Sequence, residues 1–197
     1  MSDIYISKGN LRMDIPLFNL PTEKTCPGST PLCRQYCYSK KAEKYRPPVL
    51  PSRERNYRAS LREDFTEKMM VRLEKLSGEY FRCHESGDMY NQSYLDKWFT
   101  IMRNSPDKTF IVYTQSYHLN WSDKPENLVV YWSVWEDSKN VPKDGLHAYV
   151  IDNGSGKLTA KAKPGVKVCE KGKGKAIKCN DCMYCYKGRG DVAFTLH

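Results

Sequence analysis

Two stretches of the chain place apolar residues at helical spacing. In LREDFTEKMMVRLEKL, Leu61, Phe65, Met69, Leu73 and Leu76 recur every three or four positions and predict one buried helix face. Ser60 and Glu63 stand ahead of it at the S-x-x-E spacing of a capping box, and Gly78 ends it. In QSYLDKWFTIMRN, Tyr94, Leu95, Trp98, Ile101 and Met102 form a second face of this kind. Elsewhere the pattern is that of strands. FIVY and LVVYW are near-continuous apolar runs, which suits strands covered on both faces. EYFRC, HAYVID and the closing DVAFTL add shorter strands. Met13, Ile15 and Leu17 alternate as a strand would, and Pro16 and Pro21 exclude a helix there.

The succession strand–helix–strand predicts an α/β fold, a mostly parallel sheet with helices outside, in a single domain over residues 1–197. Polar residues follow each strand, in HESGD, YTQSYH and SVWEDS. The ends of parallel strands converge on one rim, so His84, Asp88, Thr114, Gln115, Ser116, Ser133 and Asp137 are expected around a shared pocket. Cys83, inside an apolar strand, reads as a small buried residue, with a ligand role as the alternative. His118 and His147 are assigned no role.

Composition adds a charge. The 197 residues are 40% hydrophobic and 12% aromatic, enough for a core. No apolar run approaches the ~20 residues of a membrane span. The opening MSDIYISKGN lacks the basic-then-apolar order of a signal peptide, so an intracellular protein is expected. A net charge of +9 points to an anionic partner such as nucleic acid or a nucleotide, or else to a lysine-solvated surface. Arg53, Arg55, Arg58 and Arg62 would clamp phosphate or carboxylate groups, or solvate a helix start. The densest run, Lys157, Lys161, Lys163, Lys167, Lys171, Lys173, Lys175 and Lys178, would make a salt-dependent nucleic-acid contact or a solvated loop.

The cysteines carry the sharpest chemistry. Cys169, Cys179, Cys182 and Cys185 stand at C-x9-C-x2-C-x2-C, and Cys26, Cys33 and Cys37 form a second group far upstream. Together they are seven of the eight cysteines. In an intracellular chain, thiols this dense indicate metal or redox chemistry rather than a disulfide framework. A CxxCxxC run wraps a corner of a 4Fe–4S cluster, whereas zinc, the alternative, favours two separated CxxC knuckles or mixed Cys/His sets. Cys33 and Cys37 are an i, i+4 pair that one helical turn would align. Three thiols hold three irons of a cubane and leave the fourth open for a ligand. Alternatively, the trio joins another cysteine in a closed structural site.

These residues carry a resemblance. TCPGSTPLCRQYCYSKKAE, SRERNYRASL, FRCHESGDMYNQSYLDKW, FIVYTQS and the terminal cysteine quartet, in that order, are similar to the bacteriophage "gene product 88" domain family. More distantly, CRQYC resembles the cluster loop of radical S-adenosylmethionine (SAM) enzymes, with Tyr36 as the aromatic before the last cysteine. The spacing here is C-x6-C-x3-C rather than their C-x3-C-x2-C. The resemblance implies a partial (β/α) barrel, one or two 4Fe–4S clusters, redox or radical chemistry, and residence in the cytoplasm of the infected host. It further implies SAM chelating the open iron, with Tyr36, His84, Glu85, Ser86, Asp88 and Ser116 as its contacts. The competing reading is a non-enzymatic, cluster- or zinc-stapled protein that binds host nucleic acid or a host protein.

Overall fold

Along the central strands, alternate side chains go to opposite faces, and both faces are buried. In the computed structural model, which describes residues 4–9, 13–170 and 177–196, these strands are β4 (Thr109–Thr114) and β5 (Leu128–Val134). Phe110, Val112, Leu128 and Val130 join one core cluster, and Ile111, Tyr131 and Val129 join another. This explains the continuous apolar runs: neither face is free to be polar.

The eight strands run in the order β1 (Ile6–Ser7), β2 (Leu17–Phe18), β3 (Tyr80–Arg82), β4, β5, β6 (Leu146–Ile151), β8 (Val192–Thr195), β7 (Lys167–Val168). All neighbouring pairs are parallel except β1 with β2. The α/β class and the parallel sheet are as expected. Among the described residues the sheet is open, ending at β1 and β7, so no barrel closes.

The helices of the described residues are α1 (Pro31–Gln35), α2 (Tyr38–Tyr45), α3 (Val49–Ser60), α4 (Phe65–Glu74), α5 (Gln92–Arg103) and α6 (Cys179–Cys182). Helices α4 and α5 cover the first face. Phe65, Met69 and Leu73 of α4 meet Tyr94, Trp98 and Met102 of α5 over Phe18, Phe81 and Phe110, all with essentially no exposure. Burying each such side chain stabilises by about 1.5–3 kcal/mol. Asn91 caps α5 by accepting from the Tyr94 amide.

The second face departs from expectation. Among the described residues only the single-turn α6 lies in its cover; Met13, Ile15 and Leu17 and the cysteine-rich C-terminal segment cover it, with Tyr186 buried and Cys169, Cys179 and Cys185 packed alongside. The β4–β5 and β5–β6 connections are irregular, as the sequence YHLNWSDKPEN and the succession of strands after it lead one to expect.

Three local expectations are corrected. Ser60 is the last residue of α3, and its hydroxyl bonds the Tyr57 carbonyl and the Tyr90 hydroxyl, so it caps nothing; Asp64 precedes α4 without a capping bond. Leu61 is 54% exposed, because the chain turns between α3 and α4 and takes it off the stripe. The PPVLPSRERNYRAS segment forms α3, whose buried side is Arg53, Asn56, Ala59 and Ser60. Asn56 holds the start of the chain: it accepts from the Tyr5 amide (2.8 Å) and donates to the Tyr5 and Asn19 carbonyls (both 2.9 Å).

Candidate metal centre

The carboxyl ends of β3, β4 and β5 form the expected rim, and the segment carrying Cys26, Cys33 and Cys37 lies on it. HESGD is the anchor. The Ser86 carbonyl accepts from the Leu20 amide, and its hydroxyl donates to the Leu20 carbonyl. The Glu85 and Ser86 amides donate to Asn19 Oδ1, and Tyr38 and Ser39 of α2 donate to the Glu85 carbonyl. The Asp88 amide donates to the Thr25 carbonyl. Gly87 sits at φ +82°, and a Cβ there would lie 2.6 Å from the Leu20 Cβ. Gly28 is as constrained: a Cβ would fall inside the Gln115 carbonyl, so only glycine lets the cysteine loop rest on the end of β4.

Asp88 is enclosed behind this contact. Its carboxylate accepts from the Thr114 hydroxyl (2.7 Å), the Gln115 amide (2.8 Å) and the Met89 amide (2.7 Å). Burial nevertheless raises its pKa to about 6. Gln115 donates from Nε2 to the Cys33 sulfur at 3.1 Å. Asp137 accepts from the Leu32 amide in the first turn of α1 (2.9 Å). Cys33 lies in α1, but that helix ends at Gln35 and Cys37 precedes α2. The pair therefore straddles a helix break rather than one continuous turn.

A cavity of about 920 Å³ opens at this rim, lined by Cys26, Cys33, Cys37 and, from the distant C-terminal group, Cys169. Tyr36, His84, Glu85, Ser86, Asp88, Gln115 and Ser133 also line it. Thr114, Ser116 and Asp137 do not: the first two are fully buried behind the wall, and the Ser116 hydroxyl donates to the Met89 carbonyl. Cys83 is buried in the core, as a small apolar residue would be. His84 is buried, with Nε2 bonded to the Tyr94 hydroxyl (2.9 Å); burial, then the charge of Arg82, lowers its pKa to about 3. His84 Nδ1 and Gln115 Oε1 are buried atoms without partners.

No described cysteine forms a disulfide. Burial pushes the Cys26 thiol up to about 12, and the charges of Asp88, Cys33 and Cys37 add to this. Cys33 is raised to about 11 by burial, with the Gln115 hydrogen bond pulling the other way. Cys185 reaches about 11 by burial and by the nearness of Cys169, Cys179 and Cys182, opposed by a hydrogen bond with Tyr113. Cys26, Cys33, Cys37 and Cys169 thus border one cavity, while Cys179, Cys182 and Cys185 do not line it. Among the described residues no three or more His, Cys, Asp or Glu side chains are set to hold one metal ion.

Arg82 escaped the sequence reading. It lies in the cavity wall, donates to the His84 carbonyl (2.9 Å), and sets its guanidinium 4.8 Å from the Tyr113 ring. A cation on the second face of an otherwise apolar strand, between Phe81 and Cys83, was its only sequence signal. The arginine cluster, by contrast, splits. Arg53 is buried and bonded to Glu43 (2.9 Å) and the Ser39 carbonyl, so it clamps α2 to α3 rather than a ligand; Arg62 pairs with Asp64. Of the lysine run, Lys163 bonds the Tyr149 hydroxyl, Lys167 lies over the Tyr184 ring and Lys178 faces Asp14 at 3.8 Å. Lys171, Lys173 and Lys175 lie outside the described residues.

The profile of the family described as Gene product 88 matches residues 5–188, which takes in the rim, all seven of these cysteines and the cavity lining except Phe194, Thr195 and Leu196. The chain belongs to the Gene product 88 family. Two curated relatives are the Gene 88 proteins of Mycobacterium phages L5 and D29. Each is 26% identical over 87% of this chain and 82% of its own length. No solved structure matches the chain at a significant level. The comparisons do not support the resemblance to radical SAM enzymes. No described helix of this family member is long and apolar enough to cross a membrane.

Proposed function

We propose that this Gene product 88 protein is an iron–sulfur protein acting in the cytoplasm of the phage-infected cell, with redox or radical chemistry housed in the rim cavity. The observation that carries the reading is the convergence of Cys26, Cys33, Cys37 and Cys169 on one cavity from opposite ends of the chain. The donor set fits a cluster. A cubane differs from a one-ion cage, because each thiolate holds its own iron. The buried, unpartnered Gln115 Oε1 and His84 Nδ1 suit a wall that faces a polar occupant. The quartet, three of whose cysteines pack on the second core cluster, is the structural member, and the trio is the open one.

A cluster, when bound, supplies one-electron chemistry. The residues of the chain do the rest. Gln115 donates to the Cys33 sulfur and tunes it. Arg82 offers a fixed positive charge, its Nε–H held on the His84 carbonyl. Tyr36 and Tyr113 give the cavity aromatic walls that would exclude water from the reacting centre. If SAM is the ligand, Tyr36, His84, Glu85, Ser86 and Asp88 are the contacts within reach, and Ser116 acts only through Met89.

Iron and acid-labile sulfide counts on anaerobically purified protein, with the electron paramagnetic resonance spectrum after reduction, test the cluster. Zinc without sulfide would replace it with a zinc-stapled binding protein. Formation of 5′-deoxyadenosine from SAM by loaded, reduced protein tests the ligand separately.

A further inference from the structure

A second cavity, of about 1000 Å³, opens between β1, α2 and α3 beside the first, sharing Tyr38 and Glu85 with it, and its Tyr5, Lys41, Tyr45, Arg46 and Arg55 have no part in the reading above. Its walls carry three tyrosines that are unusually open for their size. Tyr45 is 70% exposed, Tyr5 47% and Tyr38 43%. Pro48 and Pro51 stiffen the α2–α3 side. Lys41, Arg46 and Arg55 line the same walls and are exposed. Among the described residues no carboxylate pairs with any of these three, whereas the neighbouring cations Lys24, Lys40 and Arg53 are matched to Glu54, Glu23 and Glu43. Glu85 is the single acidic residue of the lining. Arg55 lies 5.6 Å from the Tyr5 ring and Lys44 5.1 Å from the Tyr45 ring.

Uncompensated cations beside open aromatic faces meet the two needs of an unpaired polynucleotide, charge for its phosphates and flat surfaces for its bases. A duplex keeps its bases stacked away and would leave the tyrosines idle. An acidic peptide would do the same. We infer that the groove between β1, α2 and α3 is a binding site for single-stranded nucleic acid, with Tyr5 and Tyr45 as stacking platforms and Lys41, Arg46 and Arg55 on the backbone. The lysine run near the C-terminus is then not the main contact.

Fluorescence anisotropy with a labelled oligothymidine and the full chain, as isolated anaerobically, decides this whatever metal the protein carries. Three phosphate contacts predict a log–log salt slope of about −2, a loss of roughly twenty-fold in affinity between about 50 and 200 mM salt. Tyr45→Ala, at an exposed site, should weaken binding by about ten-fold. Arg46→Ala should flatten the salt slope by roughly one unit, and the matched duplex should bind more weakly. Lack of binding at low salt overturns the inference. So does binding that survives Tyr45→Ala and Arg46→Ala but is lost in Lys157→Ala/Lys161→Ala. Displacement by polyglutamate without dependence on Tyr45 would assign the groove to an acidic protein partner instead.

Discussion

The two cysteine groups share a chemistry and differ in how the fold holds them. The trio lies on loops and short helices whose placement depends on polar contacts: HESGD on the lead-in, Gln115 on Cys33, Asp137 on α1. Three of the quartet, Cys169, Cys179 and Cys185, lie against apolar side chains, Met13, Ile15, Tyr131 and Val192, and form part of the cover on one face of the sheet. Hydrogen bonds set direction and leave room beside them; apolar packing fills room. The trio therefore borders a cavity, while three of the four quartet thiols do not.

Replacing thiols separates the two duties most sharply. If the quartet holds the structural cluster proposed, the double variant Cys182→Ser/Cys185→Ser should lose several kcal/mol, seen as a fall in Tm of roughly ten degrees or more, because metal affinity at a structural site is folding energy. Cys33→Ser/Cys37→Ser should lower the iron count yet shift Tm by only a few degrees. Equal shifts would erase the distinction. Next in size is Arg53→Ala, which leaves Glu43 buried without its cation and should cost about 3 kcal/mol by urea unfolding. Gly28→Ala should cost about 2 kcal/mol, since the loop must lift from Gln115, and it should reduce iron loading more than Tm.

The smallest effect at neutral pH comes from titration. The native state keeps His84 neutral down to about pH 3, where an unfolded histidine takes up a proton near 6.5. Its contribution is whole above pH 6.5 and drains as pH falls. Asp88 runs the other way: folded, it holds its proton to about pH 6 against an ordinary 3.8, so its contribution is lost as pH rises through 6. His84→Gln should flatten the loss of stability below pH 6.5, and Asp88→Asn the loss between pH 4 and 6, in urea midpoints taken across that range.

How far the sequence disclosed this arrangement depends on which residues do the burying. Helix α5 was legible because Tyr94, Leu95, Trp98 and Met102 give the helical period in apolar side chains. Helix α3 was not, because the side it buries is Arg53, Asn56 and Ser60, and a hydrophobic pattern has nothing to register there. The false capping box at Ser60 and Glu63 followed from that omission. The rim was readable from the polar residues after each strand, but not which of them face inward. Ser116 and Asp137 resemble Gln115 and Ser133 in sequence, and only packing tells them apart. The cysteine-rich, lysine-rich C-terminal segment was readable as a loop, but its sequence shows no period to reveal that it covers the second face and buries Tyr186.

Strand β2 pairs with β3 through Leu17 and Arg82, and Asn56 fastens the backbone ahead of it. During synthesis at about 5–20 residues per second, the amino-terminal strands must wait several seconds for their partners to leave the ribosome. Cys26, Cys33 and Cys37 emerge within that interval, well before the Gln115 amide that covers one of their sulfurs. The newborn chain meets its surroundings with these thiols bare.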